Sequence, residues 1–229
     1  MRADLTKRPT EVASMFDSVA RRYDRMNALA SLGQDRLWRA ALVRALDPRP
    51  GESMLDLAAG TGASARPLAR AGARVVAVDL SFGMASLGQR RHRRLRFVLG
   101  DALALPFADQ TFDAATCSFG LRNMADPVAA LRELRRVVRP DGSLVICEFS
   151  TPVGRLWRRL YEFWLKRVMP KVARLASSDS PAYTYLTESI LDWPDQAGLA
   201  DLMREAGWSA IEWRNLSGGI VALHRARRG

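Results

Sequence analysis

The sequence predicts an α/β fold built on a mostly parallel sheet with helices on both faces, and three observations predict it. A short apolar run, Met54-Leu-Asp-Leu57, passes into a loop of small residues that holds Gly60-Thr-Gly62. A second apolar run, Arg74-Val-Val-Ala-Val, ends in an acid, Asp79. From there to Phe149, strand-like and helix-like segments alternate as they do in repeated βαβ units.

Taken in order, residues 10–46 carry apolar side chains at helical spacing, with Val12, Met15, Phe16, Val19 and Ala20 on one face. The segment Phe16-Asp to Tyr23-Asp-Arg-Met-Asn27, with Ser31-Leu-Gly33 and Trp38 after it, reads on composition alone as an amphipathic packing helix. Pro48 to Gly51 is a turn, Met54–Leu57 the first strand, and Ala63–Ala71 the helix that follows. Asp56 stands at the edge of the loop as a polar anchor. Arg74–Asp79 is the second strand, and Ser81-Phe-Gly-Met84 opens another helix. The cluster Arg90-Arg-His-Arg-Arg94 ends that helix, where cations complement its dipole, and His92 within it needs no catalytic role.

Arg96–Leu99 is the third strand, leading to Gly100-Asp101-Ala102, and Ala114–Ser118 is the fourth, running into Phe119-Gly-Leu-Arg-Asn123. Pro127–Val138 forms a helix, Arg139-Pro-Asp-Gly142 a turn, and Ser143–Phe149 the fifth strand. Over 151–193 the pattern changes. There, Arg155 to Met169 interleaves aromatics with cations at helical spacing, which fits an interfacial helix or lid and equally a core helix with snorkelling arginines. A helix, Gln196–Ala206, and two strands, Ser209–Arg214 and Ile220–His224, complete the chain.

A length of 229 residues suits one domain over 1–229, with an N-terminal helical segment at 10–46 and a helical insertion near 151–193. The composition, 48% hydrophobic and 26% charged, is globular. No apolar run approaches the roughly 20 residues of a membrane-spanning helix. Met1 to Lys7 lacks the apolar core of a signal peptide, and Cys117 and Cys147 fall in buried strands, so a reducing cytoplasm without a disulfide is expected. Metal-type Cys/His spacings are absent, and no metal is expected. The net charge of +11, mostly arginine, admits nucleic acid, an anionic membrane surface or an acidic ligand as partner.

The loop fits the G-x-G-x-x-A dinucleotide pattern through Gly60, Gly62 and Ala65, with Asp79 nineteen positions after Gly60. In a doubly wound sheet that acid lies beside the first loop, where it accepts ribose hydroxyls, each charged hydrogen bond contributing roughly 1.5–3 kcal/mol. A nicotinamide oxidoreductase and an enzyme using another adenosine cofactor both satisfy these residues.

The succession Asp56, Gly60-Thr-Gly62, Asp79, Gly100-Asp101-Ala102 with Leu105-Pro-Phe, Phe112-Asp113 and Arg139-Pro-Asp-Gly142 resembles class I S-adenosylmethionine-dependent methyltransferases. Five segments resemble the ubiquinone/menaquinone biosynthesis C-methyltransferase family, and within it the actinobacterial demethylmenaquinone branch. They are Phe16-Asp to Asn27, Ser118-Phe-Gly-Leu-Arg-Asn123, Glu148-Phe-Ser-Thr-Pro152, Tyr183-Thr-Tyr-Leu to Ile190, and Leu216-Ser-Gly-Gly to His224. The resemblance implies a Rossmann-like sheet of seven strands closed by an antiparallel C-terminal hairpin.

It also implies S-adenosyl-L-methionine as cofactor, leaving as S-adenosyl-L-homocysteine, with contacts at Asp56, Gly60, Thr61, Asp79, Asp101, Ala102 and Ser118. Ala63 departs from the acid, Asp141 from the glycine, and Ala58 from the first loop glycine that many relatives carry. The implied reaction methylates a ring carbon of demethylmenaquinol to give menaquinol, with a ubiquinone-precursor benzoquinol as the alternative. A quinol hydroxyl resembles tyrosine, so ionising it at pH 7 costs roughly 4 kcal/mol. Arg122, with Asn123 beside it, is expected to stabilise the developing phenolate, or else to cap a loop by pairing with a carboxylate. Tyr23, Tyr183, Tyr185 and His224 are further candidates for orienting or deprotonating the quinol.

The implied substrate is polyprenylated. A cationic, aromatic segment at 155–174, with Arg155, Arg158 and Arg159, is therefore expected to meet an anionic membrane surface transiently from the cytoplasmic side. Methylation of a soluble small molecule stays open, as does a homo-oligomer. Nucleic acid is not expected, because Phe119-Gly-Leu-Arg-Asn stands where an Asn/Asp-Pro-Pro-aromatic loop would be. A non-catalytic scaffold is the remaining alternative.

Overall fold

A computed structural model of the chain describes residues 7–168 and 180–229. The described elements are α1 (Pro9–Ala30), α2 (Asp35–Leu46), β1 (Ser53–Leu57), α3 (Ala65–Arg70), β2 (Arg74–Asp79), α4 (Phe82–Arg91), β3 (Arg96–Leu99) and β4 (Phe112–Ser118). They continue with α5 (Pro127–Val137), β5 (Val138–Phe149), α6 (Arg155–Phe163), α7 (Ser180–Leu191), α8 (Gln196–Glu205), β6 (Ser209–Leu216) and β7 (Val221–Arg227).

The strands form one seven-stranded sheet in the order β3-β2-β1-β4-β5-β7-β6. The first five run parallel, while β7 is antiparallel to both β5 and β6. The expected mostly parallel sheet with a C-terminal hairpin is therefore the one observed. Its central strands read as unbroken apolar runs because both faces are covered.

Successive side chains of a strand point to opposite faces, and the core divides accordingly. Leu55, Ala115, Cys117, Leu144 and Ile146 pack with α5 and α8 through Leu131, Leu134 and Met203. Met54, Ala114, Val145 and Cys147 pack with α2 and α3 through Trp38, Leu42 and Leu68. Two free, buried cysteines are part of this core. The edge strand β6 is largely exposed.

Helix α1 lies across the carboxyl ends of β1 and β2. Its Val19 and Ala20 pack on Met84 of α4, and its Val12 and Met15 pack on Tyr185 of α7. Asp17 Oδ1 accepts hydrogen bonds from the Ser81 hydroxyl and from the Gly83 N–H at 2.8 Å, which pins α1 to the start of α4. Two boundaries differ from the sequence expectation. The first crossover helix starts at Ala65, since Thr61–Ser64 form turns before it. Strand β5 starts at Val138, and the expected turn survives inside it, with Asp141 in the left-handed region at φ 61° and a register shift opposite Phe112 and Ala114.

The loops after β1 and β4 interlock. Ala58 and Phe119 both adopt positive φ, 53° and 58°, a conformation uncommon for residues other than glycine. A Cβ on Gly120 would stand 2.4 Å from the Ala58 Cβ and 3.1 Å from the Cys117 Sγ, so only glycine permits this approach. Replacing Gly120 with alanine should lower stability by about 1–3 kcal/mol in denaturant unfolding. Adding Ala58→Gly, which removes the opposing Cβ at a left-handed position, should restore most of the loss.

Candidate active site

Two cavities meet at the carboxyl edge of the sheet. The first lies along Asp56–Thr61 and is closed by Asp79–Ser81, Gly100–Leu103, Ser118–Gly120 and the α1 residues Phe16, Tyr23, Asp24 and Asn27. Asp79 sits at the end of β2. Its Oδ2 accepts the Gly60 N–H at 2.7 Å and its Oδ1 accepts the Ser81 N–H at 2.8 Å. Burial raises its pKa, and those amides pull it back. Asp101 Oδ1 accepts the Leu103 N–H at 2.9 Å, and Ser118 Oγ accepts the Ser64 hydroxyl at 3.1 Å. Thr61 donates its hydroxyl proton to Asp24 at 2.8 Å, and Asp24 also receives Arg91 at 2.6 Å.

Asp56 is the unusual member. It lies within β1 rather than at the loop's edge and is 0% exposed, with neither carboxylate oxygen hydrogen-bonded by a described residue. Burial, then the charge of Asp79, pushes its pKa up from 3.8 to about 7, with Arg39 and then the Ala65 backbone N–H opposing.

The second cavity holds about 450 Å³, within the roughly 300–1,000 Å³ of small-molecule sites. Its wall is mostly apolar and aromatic, including Trp38, Phe149, Trp157, Tyr161 and Trp164. Tyr23, Asn27, Arg39 and Phe119 line both cavities and so mark their junction. The outer wall is seated by the turn between β6 and β7. Gly218 there has φ 67°, and a Cβ on it would fall 2.6 Å from the Trp157 Nε1, while Trp38 Nε1 donates to Ser217 Oγ at 2.9 Å.

Arg122 lies in the short 3-10 turn Leu121–Asn123 and forms part of the second cavity's wall. It is 3% exposed and pairs at 2.9 Å with Glu148, which is 0% exposed. Glu148 also accepts the Arg122 N–H at 3.3 Å and the Phe149 N–H at 2.9 Å. The guanidinium donates to the Phe119 carbonyl and lies 5.0 Å from the centre of the Phe149 ring. Its Nε is buried without a hydrogen-bond partner among the described residues. The next residue, Asn123, belongs to the first cavity, and its Oδ1 accepts the Tyr185 hydroxyl at 3.2 Å.

Residues 4–228 match the model of the ubiE/COQ5 methyltransferase family. The chain belongs to that family. It is 56% identical over 227 residues to the demethylmenaquinone methyltransferase of Streptomyces griseus, covering 99% of each chain. It is 59% identical over 223 residues to that of Mycobacterium marinum, covering 97% of this chain and 96% of the relative. Among solved structures it superposes on an S-adenosylmethionine-dependent methyltransferase from Thermotoga maritima, a possible histamine N-methyltransferase. The TM-score is 0.66 at 22% identity, over 95% of this chain and 100% of that one. The [4+2]-cyclase SpnF gives 0.69 at 19% identity, over 100% and 97%. At such identities the superpositions show the fold alone, and a cyclase on this fold illustrates that architecture does not set the reaction.

The methyl donor of this methyltransferase is S-adenosylmethionine, and the residues of the first cavity fit it. Asp56 presents two buried acceptors that lack a donor, and Asp79 keeps free lone pairs beside the glycine loop. Gly60, Thr61, Asp101, Ala102 and Ser118 line the same cavity. Among the other expected residues, Tyr23 sits at the junction, its hydroxyl pKa raised by burial and partly lowered by Asn27. The Tyr183 side chain lies outside what is described.

His224 is not brought to the site. It is buried in β7, stacked 5.8 Å from Trp213, and its Nε2 donates to the Gln196 carbonyl at 2.8 Å, away from both cavities. Three residues of the site escaped the sequence reading: Glu148 as the partner of Arg122, and the pair Asp35 and Arg39. Lys7, 3.9 Å from Asp192, also lines the first cavity.

The raised pKa of Asp56 has a definite sign. The folded chain keeps this proton up to about pH 7, while the unfolded chain loses it from 3.8 upward, so folding is increasingly penalised between those values and the penalty is constant above. In thermal melts without ligand, Asp56→Asn should therefore gain stability over the parent as pH rises from 4 to 7 and hold that gain at pH 8.

Proposed function

We propose that this methyltransferase transfers the methyl group of S-adenosylmethionine to a ring carbon of demethylmenaquinol, giving menaquinol in menaquinone biosynthesis. The observation that carries the reading is the junction itself. The cavity that holds the glycine loop and the buried acid Asp56 opens, at Tyr23, Asn27, Arg39 and Phe119, into an aromatic cavity with a buried arginine in its wall. The names of the Streptomyces and Mycobacterium relatives support the choice of quinol.

When bound, S-adenosylmethionine supplies an electrophilic methyl carbon on a sulfonium. The chain's own work is to hold and align. Asp79 would accept the ribose hydroxyls, Asp56 the ammonium of the amino-acid portion, and the Asp101–Leu103 segment would border the adenine. Such alignment can contribute roughly 7–11 kcal/mol. Trp38, Phe119 and Phe149, packed on one another with ring centres 5.1–6.3 Å apart, would offer the quinol ring one aromatic wall and exclude water.

Arg122 would stabilise the oxygen that becomes phenolate, against the roughly 4 kcal/mol of ionisation. Glu148 and the Phe119 carbonyl fix its guanidinium before substrate arrives, so little reorganisation remains for the reaction. Asn123, held by Tyr185, would orient the ring from the cofactor side.

Purified protein with labelled S-adenosylmethionine should methylate demethylmenaquinone only when a reductant is present; transfer that ignores the reductant overturns the phenolate step. Arg122→Ala should lower kcat about 10²–10³-fold, as loss of an oxyanion donor does, with cofactor affinity changed only a few-fold by calorimetry.

A peripheral position on the membrane completes this reading. On α6, Leu156, Trp157, Leu160 and Phe163 are exposed together with Arg155, Arg158 and Arg159, and Trp157 and Leu160 also line the quinol cavity. The polyprenyl tail would leave past these residues into a bilayer with anionic headgroups. No helix among the described residues is long and apolar enough to cross a membrane. Sedimentation with anionic vesicles should show binding at low salt, weakened by salt and by neutralising Arg155, Arg158 and Arg159. Absence of binding at low salt removes the membrane claim.

A further inference from the structure

The phenolate step needs a destination for the quinol proton, and the second cavity limits the choice. Among the described residues lining it, Asp35 is the one carboxylate, and no histidine lines it. Glu148 is outside the wall, held by Arg122 and two backbone amides. Tyr23 and Tyr161, the tyrosines on the wall, have hydroxyl pKa values raised by burial and keep their protons. Asp35 opens α2 at only 7% exposure, where the helix dipole favours a carboxylate. Its Oδ2 accepts Arg39 and its Oδ1 accepts the Ser31 hydroxyl at 3.3 Å, a long and yielding contact. Arg39 in turn lines both cavities, and its Nε is buried without a hydrogen-bond partner among the described residues. An ordinary surface pair four residues apart would face solvent; this one is largely buried, with Asp35 on the wall of the second cavity and Arg39 at the junction.

On the reading that the second cavity takes the quinol, we propose that Asp35 is the base that accepts the quinol hydroxyl proton, with Arg39 positioning its carboxylate at the junction. The O–H bond breaks and the proton passes to the Asp35 carboxylate. The ring's electron pair forms the new carbon–methyl bond while the sulfur–methyl bond breaks and its pair stays on sulfur. The methylated ring carbon then loses its own hydrogen as a proton to water, and Asp35 returns its proton to the oxygen, restoring the aromatic quinol. One proton is released per methyl transferred. The titratable and charged groups that share the second cavity's wall with Asp35 are Arg39 on its own helix, Tyr23 on α1, Arg122 after β4 and Tyr161 on α6.

The test uses the full chain with S-adenosylmethionine and demethylmenaquinol between pH 6 and 10. Asp35→Asn should lower kcat/KM about 10²–10⁴-fold at pH 7, the range for loss of a general base. The defect should shrink at least tenfold towards pH 10, where the quinol ionises unaided. The Asp35→Asn rate should climb with pH as the quinol ionises, more steeply than the parent's, and Asp35→Glu should keep the parent's shallower profile at a reduced rate. Affinities for S-adenosylmethionine and for menaquinone, read by tryptophan quenching, should change less than threefold. A loss of equal size at every pH, or unchanged turnover, overturns the role of Asp35. If Asp35→Asn fails to fold, the parent and Asp35→Glu decide: a rate in both that climbs about tenfold per pH unit towards pH 10, as for a quinol that ionises unaided, overturns the proposal. A parent that binds S-adenosylmethionine but transfers nothing to the quinol at any pH overturns the substrate reading instead.

Discussion

The reversal of strand order between β1 and β4 is the constraint on which the rest of the molecule depends. The chain winds outward from β1 through β2 to β3, then returns to place β4 on the other side of β1. Crossovers on opposite faces pull the loops after these two strands apart, and the crevice they leave is where an α/β sheet binds its ligand. Each site element follows from this position. Asp56 and Gly60 belong to β1 and its loop, Asp79 ends the neighbouring strand, and Ser118, Arg122 and Asn123 belong to β4 and the turn after it. The approach of Gly120 to Ala58 ties the loops after β1 and β4 together along the first cavity.

This crevice concentrates charge in a place that favours none. Breaking a buried pair such as Arg122–Glu148 typically costs about 3–5 kcal/mol, yet replacing such a pair by apolar residues is often neutral or stabilising. Stability alone therefore gives no reason for a buried arginine beside an aromatic cavity. Asp56 makes the case more sharply, since no ion pair among the described residues holds its carboxylate and it is pushed to a pKa of about 7. Strongly perturbed groups gather where a ligand completes them. A bound ammonium would supply the missing donors and return Asp56 to its charged form.

Much of this was legible in the residues because it follows from strict periods. The apolar runs of β1, β2 and β4, and the acid closing β2, are set by two-sided burial and by topology, and both leave a local mark. What was not legible depends on contacts distant in the chain. Glu148 reads as the polar end of a strand until Arg122, 26 residues earlier, is seen to meet it. Asp35 and Arg39 have the spacing of any helical surface pair, and only the cavity beside them gives that spacing another meaning. His224, offered beside the tyrosines as a candidate for orienting or deprotonating the quinol, instead donates from its ring to the Gln196 carbonyl inside the fold. On α6, Tyr161 packs inward while Leu156 and Phe163 are exposed.

That division on α6 bears on how a lipid-tailed substrate would reach the crevice. Burying one large apolar side chain is worth about 1.5–3 kcal/mol, while one arginine near an anionic surface contributes about 1 kcal/mol and is screened by salt. Four exposed apolar side chains on a single helix, Leu156, Trp157, Leu160 and Phe163, therefore outweigh the three arginines interleaved with them as a source of affinity. The arginines are better suited to orientation. Held at the headgroups, they would keep the apolar face of α6 towards the acyl chains and the mouth of the quinol cavity at the boundary. Trp157 links the two requirements: its indole meets the Gly218 turn that anchors α6, and the same side chain lines the cavity. On the proposed reading, displacement of α6 by a membrane would act directly on the wall of the second cavity, and so couple access for a lipid tail to the shape of the site.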